Sequence, residues 1–168
     1  MKSALKFIAF AFLTLAPLST YAQSNVAHIN VQQLISEMSE VIAAQNELAK
    51  LEKDYTTQID NAFKEFQTKA QSYSADAANQ TDVTNQARQK ELESMQTNLQ
   101  EFRDSAAQEL QKKQMDLMSP LLEKARNAIT KVGQEQGFDY VIDSSPNGGI
   151  ILADGKDLIE DVKRELGF

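Results

Sequence analysis

The sequence predicts an α+β fold, a small β-structured body carrying a long antiparallel α-helical coiled-coil hairpin, and three observations predict it. Apolar residues between positions 48 and 132 recur at three- and four-residue steps in two runs, with no Gly or Pro before Pro120. Short β-branched runs stand on both sides of this region, Val26–Val31 before it and Phe138–Asp143 with Ile150–Ala153 after it. A polar stretch near 74–84 separates the two apolar runs and supplies the place where the chain turns back.

The chain opens with Lys2 and Lys6 ahead of the apolar run Phe7–Leu18, which ends in Ser19-Thr20-Tyr21-Ala22. A run this short, with a basic start and small residues at its end, predicts a secretory signal peptide over residues 1–22, cleaved after Ala22. Removing Lys2 and Lys6 takes the net charge from −7 to −9, which argues against nucleic acid as a partner. The chain has no Cys, so no lipid anchor and no disulfide is expected, and the fold depends on packing or association. With no Cys and the single His28, the usual zinc constellations are excluded and no cofactor is expected. Val26–Val31 then reads as a strand leading into a short helix from Gln32, and His28 as a structural residue on a strand face.

The first seam is Leu48, Leu51, Tyr55, Ile59, Phe63, Phe66, Ala70 and Tyr73. The second runs from Leu92, Met95, Leu99, Phe102, Ala106 and Leu110 through Leu117, Leu121, Ala125 and Ile129 to Val132. Folding the chain back near Asn79 brings Phe66 level with Leu92, Phe63 with Met95, Ile59 with Leu99 and Tyr55 with Phe102, as an antiparallel hairpin requires. A helix over residues 48–73 would be ~39 Å long, whereas a compact domain of this length has a radius of gyration of ~15 Å. The hairpin, residues 48–120, therefore projects as an arm. Pro120 interrupts its return helix at the root, where two readings stay open: a hinge that lets the arm splay, and a fixed kink.

The body is expected from residues 23–47 and 121–168. Gly133 and Gly137 mark a helix end, and Phe138–Asp143 and Ile150–Ala153, joined by a turn-rich Ser144–Gly149 loop, read as a β-hairpin. Asp157–Leu166 reads as a short amphipathic helix burying Leu158, Ile159, Val162 and Leu166. Three short strands are near the minimum for an independently stable sheet. Association of several bodies would cover their apolar edges.

This order of signal peptide, Val26–Val31 strand, polar coiled-coil middle, Phe138–Asp143, glycine-rich turn, Ile150–Ala153 and Asp157–Val162 resembles the Skp/OmpH family of periplasmic chaperones for outer-membrane proteins. The resemblance covers essentially the whole processed chain and is most specific over Gly137–Leu166. It implies a homotrimer with a shared β-structured core and three arms around a cavity for unfolded client, with neither ATP nor enzyme activity. The chain agrees in having no Walker loop, no G-x-G-x-x-G and no nucleophile constellation. Ile29, Val31, Tyr140, Ile142, Ile150 and Leu152 are the residues expected at the trimer interface. The chaperone that names the family is strongly basic. Here residues 72–85 carry Asp76 and Asp82 and no Lys or Arg, so lipopolysaccharide or anionic-membrane binding is not carried over.

The function expected is ATP-independent holding of unfolded outer-membrane β-barrel proteins in the periplasm, by enclosure and many weak apolar contacts. Tyr55, Phe63, Phe66, Tyr73, Met95 and Phe102 are the candidate client contacts, and the same residues are candidates for packing the two arm helices together. A structural coiled-coil scaffold or spacer of the cell envelope is the alternative. An envelope hydrolase has little support, because the carboxylates are spread over solvent faces.

Overall fold

The computed structural model describes residues 24–168, so the expected signal peptide lies outside the described residues. In chain order the elements are β1 (Val26–Ile29), α1 (Val31–Glu37), α2 (Ser39–Asp76), a 3-10 turn (Ala77–Asn79), α3 (Asp82–Glu135), β2 (Tyr140–Asp143), β3 (Lys156–Asp157) and α4 (Ile159–Leu166). The result is the α+β architecture expected, with two helices that dwarf the sheet. At ~1.5 Å per residue, the 38 residues of α2 reach ~57 Å and the 54 residues of α3 reach ~81 Å.

Local chemistry places the helix ends. Asn30 caps α1, its side-chain oxygen accepting from the Gln33 N–H at 3.0 Å. Met38 is extended and fully buried, so α1 and α2 are separated by a single residue pinned in the core. Thr81 caps α3 by accepting from the Thr84 N–H at 3.2 Å. At the other end of α3 the chain leaves through Gly137 at φ 74°, a left-handed position that glycine takes without strain, and the Phe138 N–H closes on the Gly133 carbonyl at 2.9 Å.

The sheet differs from the hairpin expected. All three strands are parallel, in the order β2-β1-β3, with Val26 opposite Tyr140, Ile29 opposite Asp143, and His28 opposite Asp157. Ile150–Ala153 is not a strand; the third strand is the polar pair Lys156–Asp157. The physical reason is the crossover. β3 lies on the far side of β1 from β2, so the chain between them has to pass across the sheet and cannot run back along the free edge of β2.

Side chains alternate across these strands. Ala27 and Ile29 point to the core with Val141, while Val26, His28, Tyr140 and Ile142 share the opposite, outer face. On the inner face Ala27, Ile29, Leu34, Met38, Val41, Ala125, Ala128, Val132, Leu158 and Val162 form one buried cluster. Both arm helices are rooted in it, α2 through Val41 and α3 through Ala125, Ala128 and Val132. α4 closes the cluster with Leu158 and Val162, and Lys163 ties it to α1 through a 2.5 Å ion pair with Glu37.

Candidate functional site

Outside the core cluster α2 and α3 have only each other to pack against. The Tyr55 and Phe102 rings meet edge to face across the pair, with centroids 6.1 Å apart. Between Ala44 and Ala125, however, Leu99 and Ala106 are the only buried residues. Two helices without a third layer cannot enclose aromatic side chains. Tyr55, Phe66, Tyr73, Met95 and Phe102 are therefore half-buried along the seam, and Phe63 is 40% exposed. Phe63 stacks on Phe66 at 6.5 Å, with the Arg103 guanidinium 6.0 Å from its ring centre. All six candidate contacts thus lie on one half-open apolar strip.

Polar bridges cross the arm beside the strip. Glu40 pairs with Lys124 at 2.5 Å and Glu47 with Lys113 at 2.8 Å near the root, and the Tyr55 hydroxyl donates to Glu109. Near the tip, Glu91 binds both Lys69 and the Tyr73 hydroxyl, the latter at 2.6 Å. Asp76 takes Arg88 at 3.1 Å and Gln80 at 2.7 Å, and the Arg88 guanidinium lies 4.7 Å over the Tyr73 ring. Hydrogen bonds from Lys69 first, then Tyr73, hold the Glu91 carboxyl below its usual range. Arg88 first, then Asn79 and Gln80, does the same for Asp76. Sequence reasoning missed this tip, because a window of residues 72–85 counts Asp76 as a free acid and stops short of Arg88. The fold-back near Asn79 gave no signal for this pair, since it sets Asp76 opposite Asp82 and not Arg88.

In the body, among the described residues, the outer face of the sheet has only the 150–155 segment beside it. Tyr140 is 62% exposed, Leu152 is 82% exposed, and Ile142 and Ile150 are each 38% exposed. Ile142, Ile150 and Leu152 line a shallow 170 Å³ cavity with Val26 and His28. Ile29 and Val31 depart from the interface expected of them. Ile29 has the opposite side-chain parity and is 1% exposed within the chain's own core, and Val31 is the first residue of α1, half-buried against the same core. The edge of β2 is also open. Tyr140 and Ser144 turn their N–H groups to the carbonyls of Asn25 and Ile29, so the intervening Val141 and Asp143 turn theirs away from β1. His28 Nδ1 sits 3.0 Å from the Ser144 hydroxyl, a partner that suits its structural reading.

Asn30, Asp143 and Ser145 tie β1, α1 and β2 together. Asp143 accepts from the Ser145 N–H at 2.9 Å, from the Ser145 hydroxyl at 2.5 Å and from the Val31 N–H at 3.3 Å. Burial works to raise the Asp143 pKa, but these hydrogen bonds outweigh it and hold the carboxyl below its usual range. Pro120 is exposed on α3, which continues through it as one helix. Among the described residues no three His, Cys, Asp or Glu side chains converge on a metal position. The features the described residues present are the half-open apolar strip of the arm and the exposed apolar side chains beside the outer face of the sheet.

Comparison with known proteins points the same way. The chain is 25% identical over 160 residues to the chaperone protein Skp of Yersinia enterocolitica, covering 92% of this chain and 93% of that one. The crystal structure of an OmpH-like protein from Caulobacter crescentus CB15 superposes with a TM-score of 0.76 at 14% identity, over 86% of this chain and 85% of that one, and so shares the fold. The family profile described as outer membrane protein, OmpH-like, matches residues 25–166. A sheet fed from both ends of the chain, with a long helical hairpin between, is what that whole-length match covers, and the chain belongs to the Skp/OmpH chaperone family.

Proposed function

We propose that the protein is an ATP-independent, non-enzymatic holdase of the periplasm, assembled as a homotrimer, that keeps unfolded outer-membrane β-barrel proteins from aggregating. The observation that carries this reading is the half-open aromatic strip on a projecting two-helix arm. Unfolded β-barrel chains expose alternating apolar residues and unpaired backbone edges. A strip of Tyr55, Phe63, Phe66, Tyr73, Met95 and Phe102 offers many weak contacts to such a chain and no single tight pocket. Several strips around one cavity raise the effective concentration of each further contact. The exposed outer face with Tyr140, Ile142, Ile150 and Leu152, beside the open edge of β2, supports the assembly that would bring the arms together. Export follows from the signal-like residues 1–22, and Pro120 at the arm root serves either as a hinge for fitting clients of different size or as a fixed kink. Lipopolysaccharide and anionic membranes are not proposed partners, since Arg88, the cation nearest the turn, is already engaged by Asp76.

Light scattering during dilution of a urea-denatured outer-membrane β-barrel protein tests the proposal. Suppression of scattering near one trimer per client is expected. Unchanged aggregation at that ratio would remove the holdase reading and leave the fold serving as an envelope scaffold.

A further inference from the structure

Along the arm, Leu99 and Ala106 near its middle are the only fully buried residues, and towards the tip the seam is half-buried. No residue on the tip side of Leu99, on either arm helix, is buried. The remaining stretch, roughly 25 Å of paired helix at ~1.5 Å per residue, is joined across the two helices by polar contacts beside the half-buried seam. Lys69 and Tyr73 reach Glu91, Arg88 reaches Asp76 and covers the Tyr73 ring, and the Asn85 side chain donates to the Ala77 carbonyl at 2.9 Å. Tyr73 is the node of this network, bound through its hydroxyl by one cluster and through its ring by the other.

We propose that the Lys69–Tyr73–Glu91 and Asp76–Arg88 clusters form an electrostatic latch that keeps the distal arm closed, and that acid or salt opens the tip and exposes Phe66, Tyr73, Leu92 and Met95 while the root stays paired. The charged or titratable groups facing the latch are Glu65, Lys69, Tyr73 and Asp76 from α2 and its end, and Arg88 and Glu91 from α3. Both acids titrate below their ordinary values of 4.5 for Glu91 and 3.8 for Asp76 when the tip is closed. Closure is therefore fully supported above about pH 5, and that support is lost as pH falls through the ordinary range and the depressed values beneath it. Salt acts at neutral pH by screening, because every ion pair of the latch is partly solvated. The consequence for clients rests on the holding function proposed above: the latch would set how much apolar strip the arm offers.

Hydrogen exchange read by mass spectrometry on the assembled protein tests the latch directly. Exchange across residues 66–98 should speed by about tenfold between low salt and ~1 M salt, the scale of a few exposed ion pairs, with residues 44–58 and 103–118 unchanged. The same selective increase is expected at about pH 4 once intrinsic rates are corrected. A uniform change along the arm, or none, overturns the latch. Glu91→Gln combined with Asp76→Asn should give fast tip exchange at neutral pH and low salt, and wild-type protection in that variant overturns it as well. In the scattering assay, at dilutions where the wild type suppresses aggregation only in part, the open-tip variant should suppress more, as about threefold tighter binding from releasing one or two exposed pairs requires. Unchanged or weaker suppression overturns the exposure of client contacts. A tip that opens in a protein that never suppresses aggregation rejects the holdase reading and leaves the latch standing.

Discussion

The Tyr55 and Phe102 rings cross at 72° with centroids 6.1 Å apart, the closest aromatic contact between the two arm helices. Edge-to-face pairs of this kind add about 0.5–1.5 kcal/mol to the area they bury. Because Phe102 is half-buried, Phe102→Ala should cost about 2 kcal/mol, less than the full core penalty. Thermal denaturation followed by circular dichroism would measure it. A change below about 0.5 kcal/mol would mean that the seam is not what holds the middle of the arm.

Gly133 sits where α3 passes β2, and a Cβ there would stand 2.7 Å from Val141 Cγ2. Val141 is β-branched and has little freedom to swing aside. Gly133→Val should therefore push β2 off the core and destabilise the body by about 2–3 kcal/mol, despite the gain in helix propensity. The adjoining substitution Gln134→Ala, on an exposed position, is the control and should change the denaturation midpoint little.

Assembly is expected to depend on the outer face of the sheet. Ile142→Asp would place a charge among the apolar Val26, Ile150 and Leu152, where covering the face would strip the carboxylate of water. Sedimentation should read trimer for the wild type and monomer for Ile142→Asp. Ile29→Asp should instead unfold the body, since Ile29 is already core. A wild-type chain that sediments as a compact monomer would end the trimer proposal.

Asp143 makes the body acid-sensitive. Its carboxyl is held below the usual range in the folded chain, so its contribution is present above about pH 4 and disappears as pH drops through the folded value. Asp143→Asn should flatten the acid limb of a stability-against-pH curve below about pH 4 and lower stability at neutral pH. Equal acid limbs in the two proteins would show that Asp143 does not carry it.

Client capture should survive salt. Raising salt from ~0.01 M to ~1 M shrinks the screening length from ~30 Å to ~3 Å, which would abolish capture by opposite charges. Apolar capture on an acidic arm predicts no loss of affinity, or a gain. Phe66→Ser should weaken holding more than Asp82→Asn does, provided that circular dichroism finds the helices intact. A steep loss of affinity with salt in the folded wild type would reject apolar capture.

The seam was legible because helical periodicity is a local property repeated over many turns, so the pairing of Tyr55 with Phe102 follows from the sequence and stands in the structure. The α+β class was legible for the same reason. The sheet was not, since β propensity records how well a residue suits a pleated surface and not which edge it meets. Ile150–Ala153 has the propensity and finds no edge within the chain, whereas Lys156–Asp157 has none and pairs because the crossover delivers it beside His28. Ile29 was misplaced by one step of parity. Arg88 was missed because charge was counted along the chain and not across the turn.

The central position of β1 has a consequence for the order in which the molecule can be built. Val26–Ile29 is among the first described segments to emerge from any machine that delivers the chain from its N-terminus, yet both of its neighbours, Tyr140–Asp143 and Lys156–Asp157, arrive more than a hundred residues later. Contacts so distant in sequence form late. The hairpin between them needs only its own turn at Ala77–Asn79 to begin zipping. A chain interrupted before Tyr140 would thus own a complete arm and no sheet, and one interrupted before Lys156 would own only the β1–β2 pair. For the proposed trimer, the topology would act as a check on completeness, admitting only chains whose last strand has arrived.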